Sequence, residues 1–336
     1  MNNKVRWGVL SSANIARQSF IPAVMRSTTG EIIAIASSNK AVKEIADEFQ
    51  IQNVYNSYDE LLECDDIDAV YIPLPNSLHL EWVEKAAQKG KHVLCEKPAA
   101  LTEANLIKMI DVCNGHDVLF MEAFMYQFHP QHQRVKEIIS SGEIGEIREI
   151  QATFSFELER SKPNIRLDKN LGGGSLYDVG CYCLHTFNLL LESMPIDVTV
   201  IGNIDQDFAV DLSAEGQLTY ASGIQAKFKS SFEQPFKQEY TVFGTKGKVT
   251  VPRAYRPDLT AGEGLLVIEK EGQPTRTETI YGDQYLIQVD FFSKAIQNNE
   301  EVIDLTERTV QNSRVIDACF EAMKLEASVK IDTTKL

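Results

Sequence analysis

The sequence predicts an α/β protein: an N-terminal doubly wound parallel sheet, then an α+β domain on a large, mainly antiparallel mixed sheet. Three observations carry that reading. The 336 residues exceed one typical domain and can fill two cores. Up to about Ala123, short apolar runs alternate with helical segments, the pattern of βαβ units. Beyond it, strand patterns dominate and the chain closes in two helical stretches. Residues 1–123 and 124–336 are therefore expected to be separate domains.

Composition narrows the class. A hydrophobic fraction of 43% and a charged fraction of 24% are those of an ordinary globular protein. The net charge of −15 argues against nucleic acid or an anionic membrane as partner, since both select basic patches. An anionic cofactor stays open, because amides at a helix start hold phosphate without net positive charge. Cys64, Cys95, Cys113, Cys181, Cys183 and Cys319 are scattered, as reduced cytosolic thiols are. No signal-peptide pattern opens the sequence and no apolar run approaches a membrane span, so a cytoplasmic protein is expected.

Residues 5–10 form an apolar strand, followed by Ser11-Ser12-Ala13-Asn14-Ile15-Ala16 and a helix to about Met25. Strand, tight turn and helix start are the layout of a dinucleotide-binding Rossmann unit. Its glycine positions hold Ser11, Ala13 and Ala16, which are small but lack glycine's freedom at positive φ. A second strand spans 31–38 and a helix 40–49. At the end of the second strand, where NAD enzymes carry an acid for the ribose diol, stand Ser37 and Ser38, then Asn39 and Lys40. Hydroxyls with Lys40 or Arg17 suit a 2′-phosphate, which tilts the cofactor to NADP, with NAD possible. Ser57 and Thr102 are expected helix caps, the first in a capping box with Glu60.

Residues 68–98 read as strand, polar turn, helix, strand. Residues 69–72 and 93–95 are buried-strand runs. Ligands of open α/β sheets bind outside the carboxyl ends of the strands. That rule gathers Asn76, His79, Glu96 and Lys97 at one cleft mouth, and the expected cofactor contacts are these with Leu74, Pro75, residues 11–15, Ser37 and Ser38. The bland alternative makes Glu96 and Lys97 an exposed turn pair. A further strand is expected at 118–123.

In the second domain, strands are expected at 146–157, 210–220, 223–231, 239–243 and 248–251, with a hairpin turn at 244–247 and a loop at 253–264. Helices are expected to Ser140, at 284–298 and at 306–327. Gly172-Gly173-Gly174 precedes a helix carrying Asp178, Tyr182 and His185 on one stripe, an arrangement suited to proton transfer. Asp178 as a cap and Tyr182 as a core aromatic are the plainer alternatives. A metal reading of Cys181, Cys183 and His185 fails, because residues two apart face different sides of a helix. His129 and His132 read as loop or helix-surface residues.

These pieces together resemble the Gfo/Idh/MocA oxidoreductases, the glucose–fructose oxidoreductase and inositol dehydrogenase group. The matching residues are the 11–16 turn, Pro75-Asn76-Ser77-Leu78-His79, Gly90-Lys91-His92-Val93, Glu96-Lys97-Pro98 and the 172–182 motif. The turn, residues 124–130 and Gly180-Cys181-Tyr182 are most similar to the dimeric dihydrodiol dehydrogenase and sugar reductase branch. The resemblance implies hydride exchange between nicotinamide and a secondary alcohol or carbonyl of a sugar, polyol or cyclic diol. It implies Lys97 at the reacting oxygen, Asp178 and Tyr182 in the active site, and a homodimer or homotetramer formed through the second domain's sheet. It also implies that the C-terminal helices pack back on the first domain. Some relatives carry histidine at Tyr182, and many carry arginine at Gln127. On the residues, Lys97 would polarise the oxygen, Tyr182 would pass the proton and Asp178 would orient Lys97 or the substrate. A nicotinamide-binding sensor without turnover is the alternative.

Overall fold

The computed structural model describes residues 4–334. The chain divides into two compact units. The first runs to Met125 and takes in Tyr285–Thr306; the second is Tyr126–Gln284 with the chain from Glu307 on.

The first unit holds β1 (Val5–Leu10), β2 (Gly30–Ala36), β3 (Asn53–Tyr55), β4 (Ala69–Ile72), β5 (His92–Cys95) and β6 (Phe120–Glu122), ordered β3-β2-β1-β4-β5-β6. All five pairings are parallel, and the order reverses between β1 and β4. That reversal is the topological switch point at which such sheets bind ligands. β4 is buried along its whole length, as its unbroken apolar run predicts. Sequence reading missed β3, a three-residue edge strand whose Asn53 and Val54 are exposed and leave no apolar signature. The helix after β1 is two pieces, a π-helical turn Ala16–Phe20 and an α-helix Ile21–Arg26.

Both expected caps form. Ser57 Oγ accepts from Glu60 N–H at 3.2 Å, and Thr102 Oγ1 accepts from Asn105 N–H at 3.2 Å. The helix Gln284–Asn298 belongs to this unit from Tyr285 on. Its Val289 and Phe292 are fully buried; Phe292 lies 5.9 Å from Trp7, whose Nε1–H donates to Ser293 Oγ at 3.3 Å. Asp290 accepts from Ser27 Oγ and Thr29 Oγ1 at 2.5 and 2.6 Å, fixing the helix to the chain entering β2.

The second unit is built on β7 (Ile147–Glu157), β8 (Asp197–Ile204), β9 (Asp211–Thr219), β10 (Gln225–Ser231), β11 (Glu233–Gly244), β12 (Gly247–Val251), β13 (Glu263–Lys270), β14 (Arg276–Tyr281) and β15 (Val329–Lys330). They form one sheet ordered β14-β13-β12-β11-β7-β10-β9-β8-β15. Only β7 and β10 pair in parallel, which makes the sheet mixed. The 244–247 turn joins β11 to β12 as expected, with Phe243 opposite Lys248. β8, β13, β14 and β15 were not foreseen. β14 is a polar edge strand, and β13 begins inside the expected loop.

The two C-terminal helices fall into different units, the first and the opening residues 303–306 of the last in the first unit. The last, Ile303–Leu325, lies from Glu307 on in the second unit, where Phe320 packs 4.4 Å from Tyr177. β15 then closes the edge of the nine-stranded sheet. Among the described residues no helix is long and apolar enough to cross a membrane.

Candidate active site

In the first unit the carboxyl ends of β1, β4 and β5 are tied to one another. Ser11 follows β1 at φ 132°, a region L side chains rarely adopt. Its own side chain offsets the cost: Oγ accepts from Ala13 N–H at 3.0 Å and donates to Pro73 O, beyond β4, at 3.3 Å. A serine thus does the turn work usually given to glycine. Ser12 Oγ lies 3.4 Å from Ser37 Oγ at the end of β2. Ser37 is buried and also accepts from Asn39 N–H at 3.1 Å, whereas Ser38, Asn39 and Lys40 are exposed. Arg17, the other candidate for a 2′-phosphate, pairs with Glu48 at 2.7 Å.

Tyr71 of β4 stacks on Phe20 at 3.9 Å and donates its hydroxyl to Glu96 Oε1 at 2.5 Å. The next residue, Lys97, is half-buried and joined to Pro98 by a cis peptide bond. Ala99 N–H donates to Glu122 at 2.7 Å, bringing in the end of β6.

His79 requires a correction. Its ring has no exposed surface: Nε2 meets Leu74 O at 2.8 Å, and Nδ1 meets Pro98 O and Ala99 O, each at 3.1 Å. Burial holds its pKa below the ordinary imidazole value, against the pull of the three carbonyls. The ring is a strut between the turn after β4 and the Lys97 segment, closed to direct contact by a ligand. Asn76 stays half-exposed in its 3₁₀ turn.

In the second unit, the π-helical turn Leu176–Gly180 runs into the helix Cys181–Leu191. Asp211 anchors its start, accepting from Ser175 Oγ and Leu176 N–H, both at 2.7 Å. Gly174 sits at φ 118°, and a side chain there would run into the Asp211 carboxylate. Asp178 accepts from Arg166 Nε at 2.6 Å, and Arg166 is a residue sequence reading did not single out. The signal was available: Arg166 and Arg160 are the two arginines of the loop before the glycines, and Arg166 is the nearer.

Tyr182 is buried in an aromatic cluster, its ring 5.7 Å from Tyr126, 5.4 Å from Phe154 and 5.3 Å from Tyr255. His185 departs from the expected proton-transfer stripe. It is fully enclosed, its Nδ1 2.7 Å from the Tyr126 hydroxyl, and burial drives its pKa well below the usual value. A neutral, sealed imidazole supports the cluster from behind. His129 and His132 are likewise buried rather than on the surface. His129 caps the helix Pro130–Ser140 through Gln131 N–H at 3.2 Å, and His132 bridges Tyr240 and Ala254 O at 2.9 and 3.0 Å. Gln127 receives a hydrogen bond from Arg308 Nη1 at 3.0 Å, so an arginine stands beside that position after all.

A Rossmann sheet with small residues at the β1 turn and no carboxylate ending β2 fits a nicotinamide dinucleotide. Together with the sequence matches, it defines an NAD(P)-dependent oxidoreductase. Residues 5–124 match the oxidoreductase family with the NAD-binding Rossmann fold, and residues 132–250 match the GFO/IDH/MocA C-terminal domain. The chain is 38% identical to D-xylose 1-dehydrogenase (NADP(+)) 2 of Haloferax volcanii, over 97% of this chain and 99% of that one. It is 31% identical to a dTDP-3,4-didehydro-2,6-dideoxy-alpha-D-glucose 3-reductase of Actinomadura kijaniata, over 94% and 95%. A 3-ketoreductase from the same organism, solved with NADP and TDP-benzene, superposes with a TM-score of 0.91 at 30% identity, covering 95% of this chain and 98% of that one. That reductase has also been solved with a tyrosine changed to phenylalanine and with a lysine changed to alanine or glutamate. The chain belongs to the GFO/IDH/MocA oxidoreductase family.

Proposed function

We propose that the protein interconverts a secondary alcohol and a carbonyl on a sugar, polyol or cyclic diol, with NADP preferred over NAD. The observation that carries this is the full-length match to NADP-linked sugar dehydrogenases and reductases by a chain that keeps Lys97 after β5 and the Asp178–Tyr182 helix. The NADP preference rests on the end of β2, where Ser38 and Lys40 are exposed and no acid repels a 2′-phosphate. Residues 11–15, Ser37, Ser38, Leu74, Pro75, Asn76, Glu96 and Lys97 are the proposed cofactor contacts. His79 contributes only through the backbone it braces.

When bound, the nicotinamide supplies or takes the hydride. Lys97 donates a hydrogen bond to the substrate oxygen and favours its partly anionic form. Tyr182 passes the proton at that oxygen, and its aromatic neighbours hold the ring and exclude water. Asp178, held by Arg166, orients the substrate. That the structure-determined reductase was altered at a lysine and a tyrosine favours these two residue types.

The first unit is read as the cofactor domain and the second as the substrate and assembly domain. The family resemblance favours a homodimer or homotetramer through the sheet, and the exposed Ile201 and Ile204 of β8 are compatible with it. A cytoplasmic site fits the six free cysteines. The deciding assay follows NADPH fluorescence and turnover against aldoses, polyols and aromatic diols. Turnover of a member supports the enzyme; tight NADPH binding with none turned over supports the sensor alternative.

A further inference from the structure

The chain between β12 and β13, residues 252–262, carries the fully buried Tyr255 on backbone that belongs to no strand. Buried N–H and C=O groups outside regular structure need partners, and here side chains supply them. Gln131 Nε2 donates to Arg253 O at 2.9 Å, and His132 Nε2 donates to Ala254 O at 3.0 Å. The buried Gln238 of β11 does more than either. Its own carbonyl accepts from Ala254 N–H at 3.0 Å, and its side-chain Oε1 accepts from Tyr255 N–H at 3.1 Å and from Arg256 N–H. Its Nε2 donates to Arg256 O at 3.4 Å. One residue thus grips three successive residues centred on Tyr255.

The grip fixes a ring. Tyr255 stacks on Phe154 at 5.0 Å, with the planes 13° apart, and lies 5.3 Å from Tyr182. Phe154, itself 5.4 Å from Tyr182, is the residue opposite Gln238 in the pairing of β7 with β11. Directly opposed residues share a face of a sheet. Gln238 therefore sets one ring of the stacked pair against its own strand partner, and both rings back Tyr182.

We infer that Gln238 is a positioning residue for the proton transfer: it holds the Phe154–Tyr255 wall that fixes the ring of Tyr182 and so places its hydroxyl. This rests on the function proposed above and deepens it by assigning the residue that sets Tyr182. The residue type supports the assignment. One side chain must offer an acceptor to two N–H groups and a donor to a carbonyl. A primary amide has both, whereas a carboxylate lacks the donor and an ammonium lacks the acceptor. The helix fixes the Tyr182 backbone, but the direction of its ring is left to its neighbours. A displacement of about 1 Å at a reacting group can cost about a hundredfold in rate.

The test uses the full-length protein with NADP+ and whichever of D-xylose, D-glucose and trans-1,2-cyclohexanediol it oxidises fastest. Gln238→Met keeps the length of the side chain and removes its hydrogen bonds. With Tyr182 present it should lower kcat by about tenfold, with KM within about twofold and NADPH affinity unchanged. Combined with Tyr182→Phe, which has no hydroxyl to place, it should lower the remaining turnover by less than about twofold. A residue that merely stabilises the loop would lower both alike. Equal losses in the two backgrounds, or no loss in either, overturn the inference and leave the oxidoreductase reading intact. If Gln238→Met shows no cooperative thermal transition, Gln238→Glu is measured in the same two backgrounds. It keeps an acceptor for both N–H groups but turns a second oxygen on Arg256 O, so a loss of about threefold, confined to the protein with Tyr182, is expected. The same two results overturn the inference there. Full turnover in Tyr182→Phe alone, or none in the unaltered protein with any of the three compounds, fails the reading beneath and the inference with it.

Discussion

At the scale of single residues, two side chains answer questions that composition leaves open. Asp211 is a buried carboxylate bonded to Ser175 and Leu176, and burial pushes its pKa up to about 6 against the pull of those donors. The folded pKa lies above the unfolded 3.8, so the native state binds the proton more tightly between the two. Stability from this group therefore falls as pH rises through that window, by roughly 3 kcal/mol in all. Asp211→Asn removes the titration. Its stability relative to the unaltered protein should improve by about that amount between pH ~4 and pH ~8, whatever its constant offset. Urea unfolding at several pH values reads this, and a difference independent of pH would contradict it. Ser38 is the second case. It is exposed where Ser37 is buried and bonded, so Ser38→Asp places a carboxylate at the ribose end without disturbing the core. NADPH affinity should drop on the order of tenfold with NADH affinity held or improved, about 1.4 kcal/mol of discrimination. Fluorescence titration with both cofactors decides it.

The elements were legible where one physical signal dominated. β4 and β5 announce themselves as apolar runs, and Ser57 and Thr102 cap as their side chains predict. β3 and β14 did not, because edge strands carry polar, half-exposed residues without an apolar face. At the β1 turn the reading stopped one step short. Ser11 was seen as a lost glycine, but its hydroxyl holds the φ glycine would have taken. The sequence does not say what the glycine run before Asp178 approaches; its Cβ positions show that it makes room for Arg166 O and Asp211. Gly174→Ala should therefore cost about 2–4 kcal/mol, combining a positive φ with a collision against a buried carboxylate. Thermal unfolding checks this, and a loss under ~0.5 kcal/mol would show that the turn can relax. In the helix Gln284–Asn298, Asp290→Ala should cost about 1–3 kcal/mol by leaving the Ser27 and Thr29 hydroxyls without their acceptor.

For the whole molecule, the doubly wound parallel sheet, the mixed second sheet and the family were readable from the chain, and the division of the C-terminal helices was not. Both helices carry apolar stripes, but a stripe does not say which unit it covers. Trp7 and Phe292 claim one helix and Tyr177 and Phe320 the other, through contacts between residues 285 and 143 positions apart in the chain. The same limit hid Arg166, whose meaning depends on the carboxylate it reaches rather than on its neighbours in sequence. What the two units together are proposed to do turns on Lys97. A donor that serves charge developing on the substrate oxygen contributes more to the transition state than to binding. The most direct measurement compares turnover and NADPH affinity in Lys97→Met, Tyr182→Phe and the double variant, with any accepted carbonyl substrate. Each single change should lower turnover by about a hundredfold to a thousandfold with cofactor affinity unchanged, and the double variant should lose much less than the product, because both groups act on one oxygen. Turnover in Lys97→Met equal to that of the unaltered protein would contradict the account.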